Sequence, residues 1–313
     1  MDLSLVSIGV MCADVTVRPV DTLDMPPKGS LFLVDGMELH MGGLASVSAT
    51  VFSQLGGRAG VIGRLGQDSF GDYMLNNLEK EGVTTTGIRR DPDNPTSATV
   101  VIVDAQGERT FLHQMGANAH VSEEDIDWDF LKQAKILHWG GPGITPKLEG
   151  EAMGRILKKA RAMGILTSMD TCYDGQGIWY PLIEEALPHL DIVFSSLEEA
   201  CLYTGKDSPE SIAEFFRSFG AKIVVIKLGA EGMYLTDGAE ALRIPAHKVE
   251  VVDGTGAGDA ACGAFLYGHD QGWSLERCGR LANAVGALTV QHMGGAEAIT
   301  SLEDTLAFME QAS

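Results

Sequence analysis

The chain has 313 residues, 45% hydrophobic and 21% charged, the balance of an ordinary globular protein that buries roughly three quarters of its unfolded surface. A formal net charge of −20 argues against nucleic acid and anionic membranes as partners. No apolar run is long enough to span a bilayer, and the five cysteines (12, 172, 201, 262, 278) are scattered without a Cys-x-x-Cys pair, which indicates neither a disulfide framework nor a zinc site and fits a reducing cytoplasm.

The N-terminus has no basic stretch, so no signal peptide is expected. Residues 3–10 read as a buried strand of small and β-branched residues. Asp14 follows just past its end, where α/β sheets place ligands. Segments 15–17 and 31–39 look extended, and Pro19, Pro26 and Pro27 between them predict edge strands. Gly42 and Gly43 open a helix running to about Leu55, and paired glycines there allow close backbone approach. Residues 59–71 read as strand, turn and helix start, with Asp68 and Ser69 as N-terminal caps. A helix over 73–80 and a short extended piece at Gly82-Val83 follow. Segments 98–103 and 109–112 flank a turn at 104–107 and predict a hairpin. These four strands have no helices between them and are too few to stand as a domain. Arg109 on the second hairpin strand has the fork geometry to hold a carboxylate or phosphate in two places.

From residue 135 onward strand and helix alternate: strands at 135–138, 165–170, 191–194 and 223–227, helices at 148–163, 197–203 and 209–219. That rhythm predicts a parallel sheet covered by helices on both faces. Asp170 falls at a strand's carboxyl end, and Ser195-Ser196 makes a good N-cap for the helix behind it. Near the end of the chain, Val251-Val252 runs into Asp253-Gly254-Thr255-Gly256-Ala257-Gly258-Asp259 and then into an apolar helix over 257–268. Unpaired N–H groups and the positive dipole end at that helix start suit a phosphate. A carboxylate beside bound phosphate is electrostatically costly, so Asp259 fits best as a base that takes a proton from an attacking hydroxyl. A plain helix cap at Asp259, or a dinucleotide site, stands as the alternative at this point. Helices over 275–291 and 302–309 complete the chain.

The string from Asp253 to Asp259 closely resembles the C-terminal signature of the ribokinase-like (PfkB) carbohydrate kinases. Matches to that family run from Gly9 to Ala296, including the Gly63-to-Gly71 stretch around Asp68. The resemblance implies an α/β fold, a ribokinase-like parallel-sheet sandwich with a small β-sheet lid. It implies one kinase domain over 1–313, with lid strands near 14–40 and 96–113, and often a dimer formed through paired lids. The implied reaction is ATP-dependent phosphorylation of a hydroxyl on a sugar or sugar-like alcohol. Asp259 would be the base, and the N–H groups of Gly256, Ala257 and Gly258 would stabilise the transferring phosphoryl group. Asp14, Gly42, Gly43, Ser46 (asparagine in the family), Arg109 and Asn118 would hold the sugar. Ser196 (again asparagine in the family), Lys227, Gly229, Gly232, Asn283 and Gly295 would line the nucleotide. Glu199 and Asp253 would organise Mg²⁺, and the late Gly294-Gly295-Ala296 turn often accompanies a K⁺ site. A nucleoside kinase of the same family, a weakened, sugar-binding regulatory protein and an NAD-binding oxidoreductase are the three other readings.

Overall fold

The computed structural model describes residues 3–20, 28, 29, 31, 33–104 and 109–311. Pro26, Pro27 and turn residues 105–107, which enter the expectations above, lie outside the described residues. In chain order, β1 (Leu3–Gly9) is buried throughout, as a continuous run of small and β-branched residues requires of a central strand. Strands β2 (Cys12–Arg18) and β3 (Gly36–Gly42) lead into α1 (Leu44–Gln54). Then come β4 (Ala59–Gly66) and α2 (Ser69–Lys80), the latter capped by Asp68, whose carboxylate accepts from the Gly71 N–H at 2.8 Å. Strands β5 (Thr84–Asp91), β6 (Ala98–Val103) and β7 (Arg109–Gln114) precede the one-turn α3 (Trp128–Leu131). The alternating half contains β8 (Ala134–Gly140), α4 (Glu151–Ala162), β9 (Leu166–Asp170), α5 (Tyr180–Ile183), β10 (Ile192–Ser196), α6 (Leu197–Thr204), α7 (Pro209–Ser218) and β11 (Ile223–Lys227). Strands β12 (Met233–Thr236) and β13 (Ala241–Ile244) are followed by α8 (Ala257–Asp270), α9 (Leu275–Val290) and α10 (Leu302–Gln311).

Two sheets result. The large one has nine strands in the order β13-β12-β11-β10-β9-β8-β1-β4-β5, parallel from β11 to β5 and antiparallel at the β12–β13 edge. Helices α1, α2, α8, α9 and α10 pack a core around Phe52 and Phe265 on one face. Helices α3 to α7 pack a second core around Trp139, Tyr203 and Phe216 on the other. This is the expected two-faced parallel sheet. Because the strands run one way, the carboxyl ends of β1, β8, β9, β10 and β11 lie along one edge, with the starts of α6 and α8 beside them.

The small sheet has the order β3-β2-β6-β7, with the expected β6–β7 hairpin in antiparallel register from Ala98↔Gln114 to Val103↔Arg109. One expectation fails here. Strand β2 is interior, antiparallel to β3 and parallel to β6, rather than an edge strand. Pro19 comes after the strand's last residue, Arg18, so its missing N–H costs the ladder nothing. Strand β3 starts at Gly36 rather than near 31, and β5 runs from Thr84 to Asp91 rather than ending at Val83. The β12–β13 pair has only four residues per strand, too short to leave a periodic trace in the sequence.

Candidate active site

Helix α8 begins without a side-chain cap, because its N-cap is Gly256 at φ 73°. That backbone region is open to glycine and strained for other residues. A Cβ on Gly256 would also lie 2.5 Å from the Cα of Gly295, so the glycine loop and the late turn meet backbone to backbone. The loop is folded by Asp253, whose Oδ1 accepts from the Thr255 N–H at 2.9 Å and from its hydroxyl at 2.7 Å. The first N–H groups of α8 are thus left pointing out of the helix with the dipole behind them.

Asp259 lies in the first turn of α8 and keeps some contact with solvent. Desolvation, then the neighbouring charge of Asp170, pushes its carboxyl up to about 8, with Lys227 opposing and Glu199 and Asp14 adding to the rise. Those four groups come from β9, β11, α6 and β2. Residues scattered over most of the chain therefore act on one carboxyl.

Lys227, at the end of β11, is mostly enclosed. Its side chain is 18% exposed and its Nζ donates to both oxygens of Asp170 at 2.8 Å. A Cβ on Gly258 would lie 3.0 Å from that Nζ, so the loop backbone rests against the ammonium. Ser196 caps α6 by accepting from the Glu199 N–H at 3.2 Å. Glu199 accepts from the Thr171 hydroxyl at 2.8 Å, and burial pushes its carboxyl up. Among the described residues, no three His, Cys, Asp or Glu side chains gather as a metal cage. A single carboxylate is nonetheless a donor set compatible with Mg²⁺, which keeps several waters and takes few protein ligands.

In the small sheet, Asp14 is buried on β2 in register with His40 of β3, and Gly42 leaves room for its Oδ2. Desolvation pushes the Asp14 carboxyl up to about 6. His40 bonds Glu297 through Nδ1 at 3.0 Å, which raises its pKa and ties β3 to the turn beyond Gly295. Arg109 leans from β7 over the glycine loop, 3.4 Å from the Thr255 hydroxyl and close against Gly254. Gly229 opens a turn between β11 and β12 with free space where a Cβ would stand, and Gly232 closes it by accepting from the Leu228 N–H at 2.8 Å.

Three expected site residues spend side-chain donors on backbone carbonyls. The Ser46 hydroxyl is buried and donates back to the carbonyls of Gly42 and Gly43, a bond within its own helix start. Asn118 is buried and its Nδ2 donates to the Met11 carbonyl at 3.0 Å, clamping the β1–β2 connection. Asn283 donates to the carbonyls of Ile244 and Pro245 at 2.9 and 3.1 Å, holding the chain after β13. In the other direction, the sequence carried no sign of the Asp170–Lys227 and His40–Glu297 pairs.

The family model for pfkB family carbohydrate kinases matches residues 2–302. A 2-dehydro-3-deoxygluconokinase of Bacillus subtilis is 29% identical over 293 residues, 90% of this chain and 90% of that protein. A ribokinase of Arabidopsis thaliana, solved with ribose and ATP, is 25% identical with a TM-score of 0.84 over 99% of both chains. A protein of E. coli described as a ribokinase II, solved with ATP and Mg²⁺, has a TM-score of 0.85 at 24% identity over 99% of both chains.

Proposed function

Because this chain belongs to the pfkB family of carbohydrate kinases, with the ribokinase fold and ATP-dependent phosphorylation of a carbohydrate as its activity, we propose how its own residues carry out the transfer. Asp259 takes the proton of the acceptor hydroxyl. The freed oxygen attacks the γ-phosphorus of ATP as the bond to ADP breaks. The N–H groups of Gly256, Ala257 and Gly258 hold the transferring phosphoryl group, and Lys227 adds positive charge beneath them. Glu199 would hold Mg²⁺, with Asp253 of the glycine loop as the second expected carboxylate, and the bound ion would offset phosphate charge and favour the ionised form of Asp259. The Gly229–Gly232 turn receives the nucleotide. Asp14 accepts hydrogen bonds from acceptor hydroxyls, and Arg109 closes over the phosphoryl group from the small sheet, which acts as a lid that keeps water out.

One observation carries this reading: four ionisable side chains from four elements converge on Asp259 at a helix start with no side-chain cap. The relatives favour a sugar acceptor over a nucleoside. The test is an ADP-release screen over sugars and sugar acids with Mg²⁺, with Asp259→Ala as the blank. A hit that disappears in the blank supports the mechanism; equal turnover in the variant refutes it.

Three further parts of the proposal have tests of their own. K⁺ activates at the meeting of the glycine loop and the Gly294-Gly295-Ala296 turn, so turnover in K⁺ exceeds that in Na⁺. Two copies pair through the small sheet, where Met37, Phe111 and Leu112 are each more than half exposed. Phe111→Asp then yields a monomer by light scattering. The protein works in the cytoplasm, consistent with five unpaired cysteines, and the marker enzymes it co-fractionates with would show this.

A further inference from the structure

Asp170 has no role in the transfer described above, yet it is the most enclosed charge in the cleft, with its side chain 1% exposed. It ends β9, while Lys227 ends β11, so the pair reaches across the tip of β10. Both Asp170 oxygens receive the ammonium at 2.8 Å, and Oδ2 also accepts from the Cys262 thiol at 3.2 Å. An ammonium has three N–H bonds. Two are spent on Asp170 and a third makes a long contact to the Cys262 sulfur at 3.9 Å, with Gly258 resting against the same Nζ. A lysine stem is flexible, and without such an anchor its charge would swing into solvent.

Resting on the kinase reading, we propose that Asp170 is a positioning residue: it holds Lys227 beneath the glycine loop, where the ammonium meets the phosphoryl group in transfer. The groups that face Lys227 are Asp170, Cys262, Glu199 and Asp259, with His138 behind Asp170. Those that face Asp259 are Asp170, Lys227, Glu199 and Asp14, with Cys172 and Cys262 alongside. Asp170 thus acts on the base in two opposed ways, directly as a like charge and indirectly by keeping a cation close.

The test compares wild type, Asp170→Asn, Lys227→Met and the double variant. Removing one partner of a buried pair leaves the other charge stranded, so each single variant should melt roughly 5–10 °C lower. The double variant removes both charges and should recover most of that loss. Turnover with ATP, Mg²⁺ and the sugar found in the screen should fall tenfold or more in all three, with the double variant no faster than the singles. The acid limb of kcat/KM should also move to lower pH in Asp170→Asn, because the like charge beside Asp259 is gone. A double variant that recovers turnover along with melting temperature, or an Asp170→Asn enzyme with wild-type kcat, overturns the proposal. On the same four proteins, affinities for ADP and for adenylyl imidodiphosphate with Mg²⁺ are measured without any sugar. Wild type should prefer the triphosphate, and the three variants should lose that preference. Equal preference in all four overturns the proposal even if no acceptor is found. A wild type that binds neither nucleotide removes the kinase reading itself, and this inference with it.

Discussion

Asp259→Asn keeps the shape of the side chain and removes both the base and its charge. The carboxyl is raised from its ordinary 3.8 to about 8, so the fold favours the protonated form. Its contribution to stability is greatest below pH 3.8 and is lost as the pH climbs through 8. Full conversion of that rise, at about 1.4 kcal/mol per pH unit, would give about 6 kcal/mol above pH 8. Partial solvent exposure of the residue screens part of it, so we expect a gain of about 2–3 kcal/mol for Asp259→Asn at pH 8. For a chain of this size that is a rise of roughly 3–6 °C in Tm. The gain should shrink toward zero near pH 4. In the same variant kcat should fall by about 10²–10⁴, the range that a positioned general base supplies. Melting curves at pH 4, 6 and 8 and a coupled ADP-release assay read both effects. A variant that melts below wild type at pH 8, or whose Tm difference ignores pH, would refute the reasoning. So would near-normal turnover.

Gly256→Ala forces an L side chain to φ 73° and into Gly295, at a cost of about 1–3 kcal/mol; calorimetry with ATP should show at least tenfold weaker binding alongside a lower Tm. In His40→Ala the lost pair with Glu297 should matter more at pH 6 than at pH 9. The folded pKa of His40 is raised above 6.5, so its contribution is present below 6.5 and disappears as the pH passes through the raised value. The expected difference in stability is about 1 kcal/mol, and identical Tm losses at both pH values would count against it. Ser46→Ala should leave the acceptor KM within about threefold, because the hydroxyl serves its own helix; a tenfold rise would return Ser46 to the sugar site.

The fold was legible because its signals are local. Alternating apolar strands and helices announced the parallel sheet, and the helix caps at Asp68 and Ser196 follow from short-range hydrogen bonding. The glycine loop could be read the same way, since φ 73° at Gly256 and the uncapped start of α8 are properties of adjacent residues. The position of β2 inside the small sheet was not legible, because its partner β6 lies some eighty residues further along, a pairing that no local pattern encodes.

Within the site the division is sharper. The family resemblance singled out Asp14, Lys227, Glu199 and Asp259, and in the structure the charges of the first three act on the carboxyl of the fourth. Direction was another matter. Ser46, Asn118 and Asn283 have side chains that bond a sugar, an adenine or a backbone carbonyl equally well, and packing turned all three toward carbonyls. Asp170 and Lys227 are 57 residues apart, His40 and Glu297 257. Such pairs form only when the sheet sets its strand ends side by side. A charge buried there must find its partner within hydrogen-bonding reach or leave the cleft, and only the tertiary structure decides which partner that is.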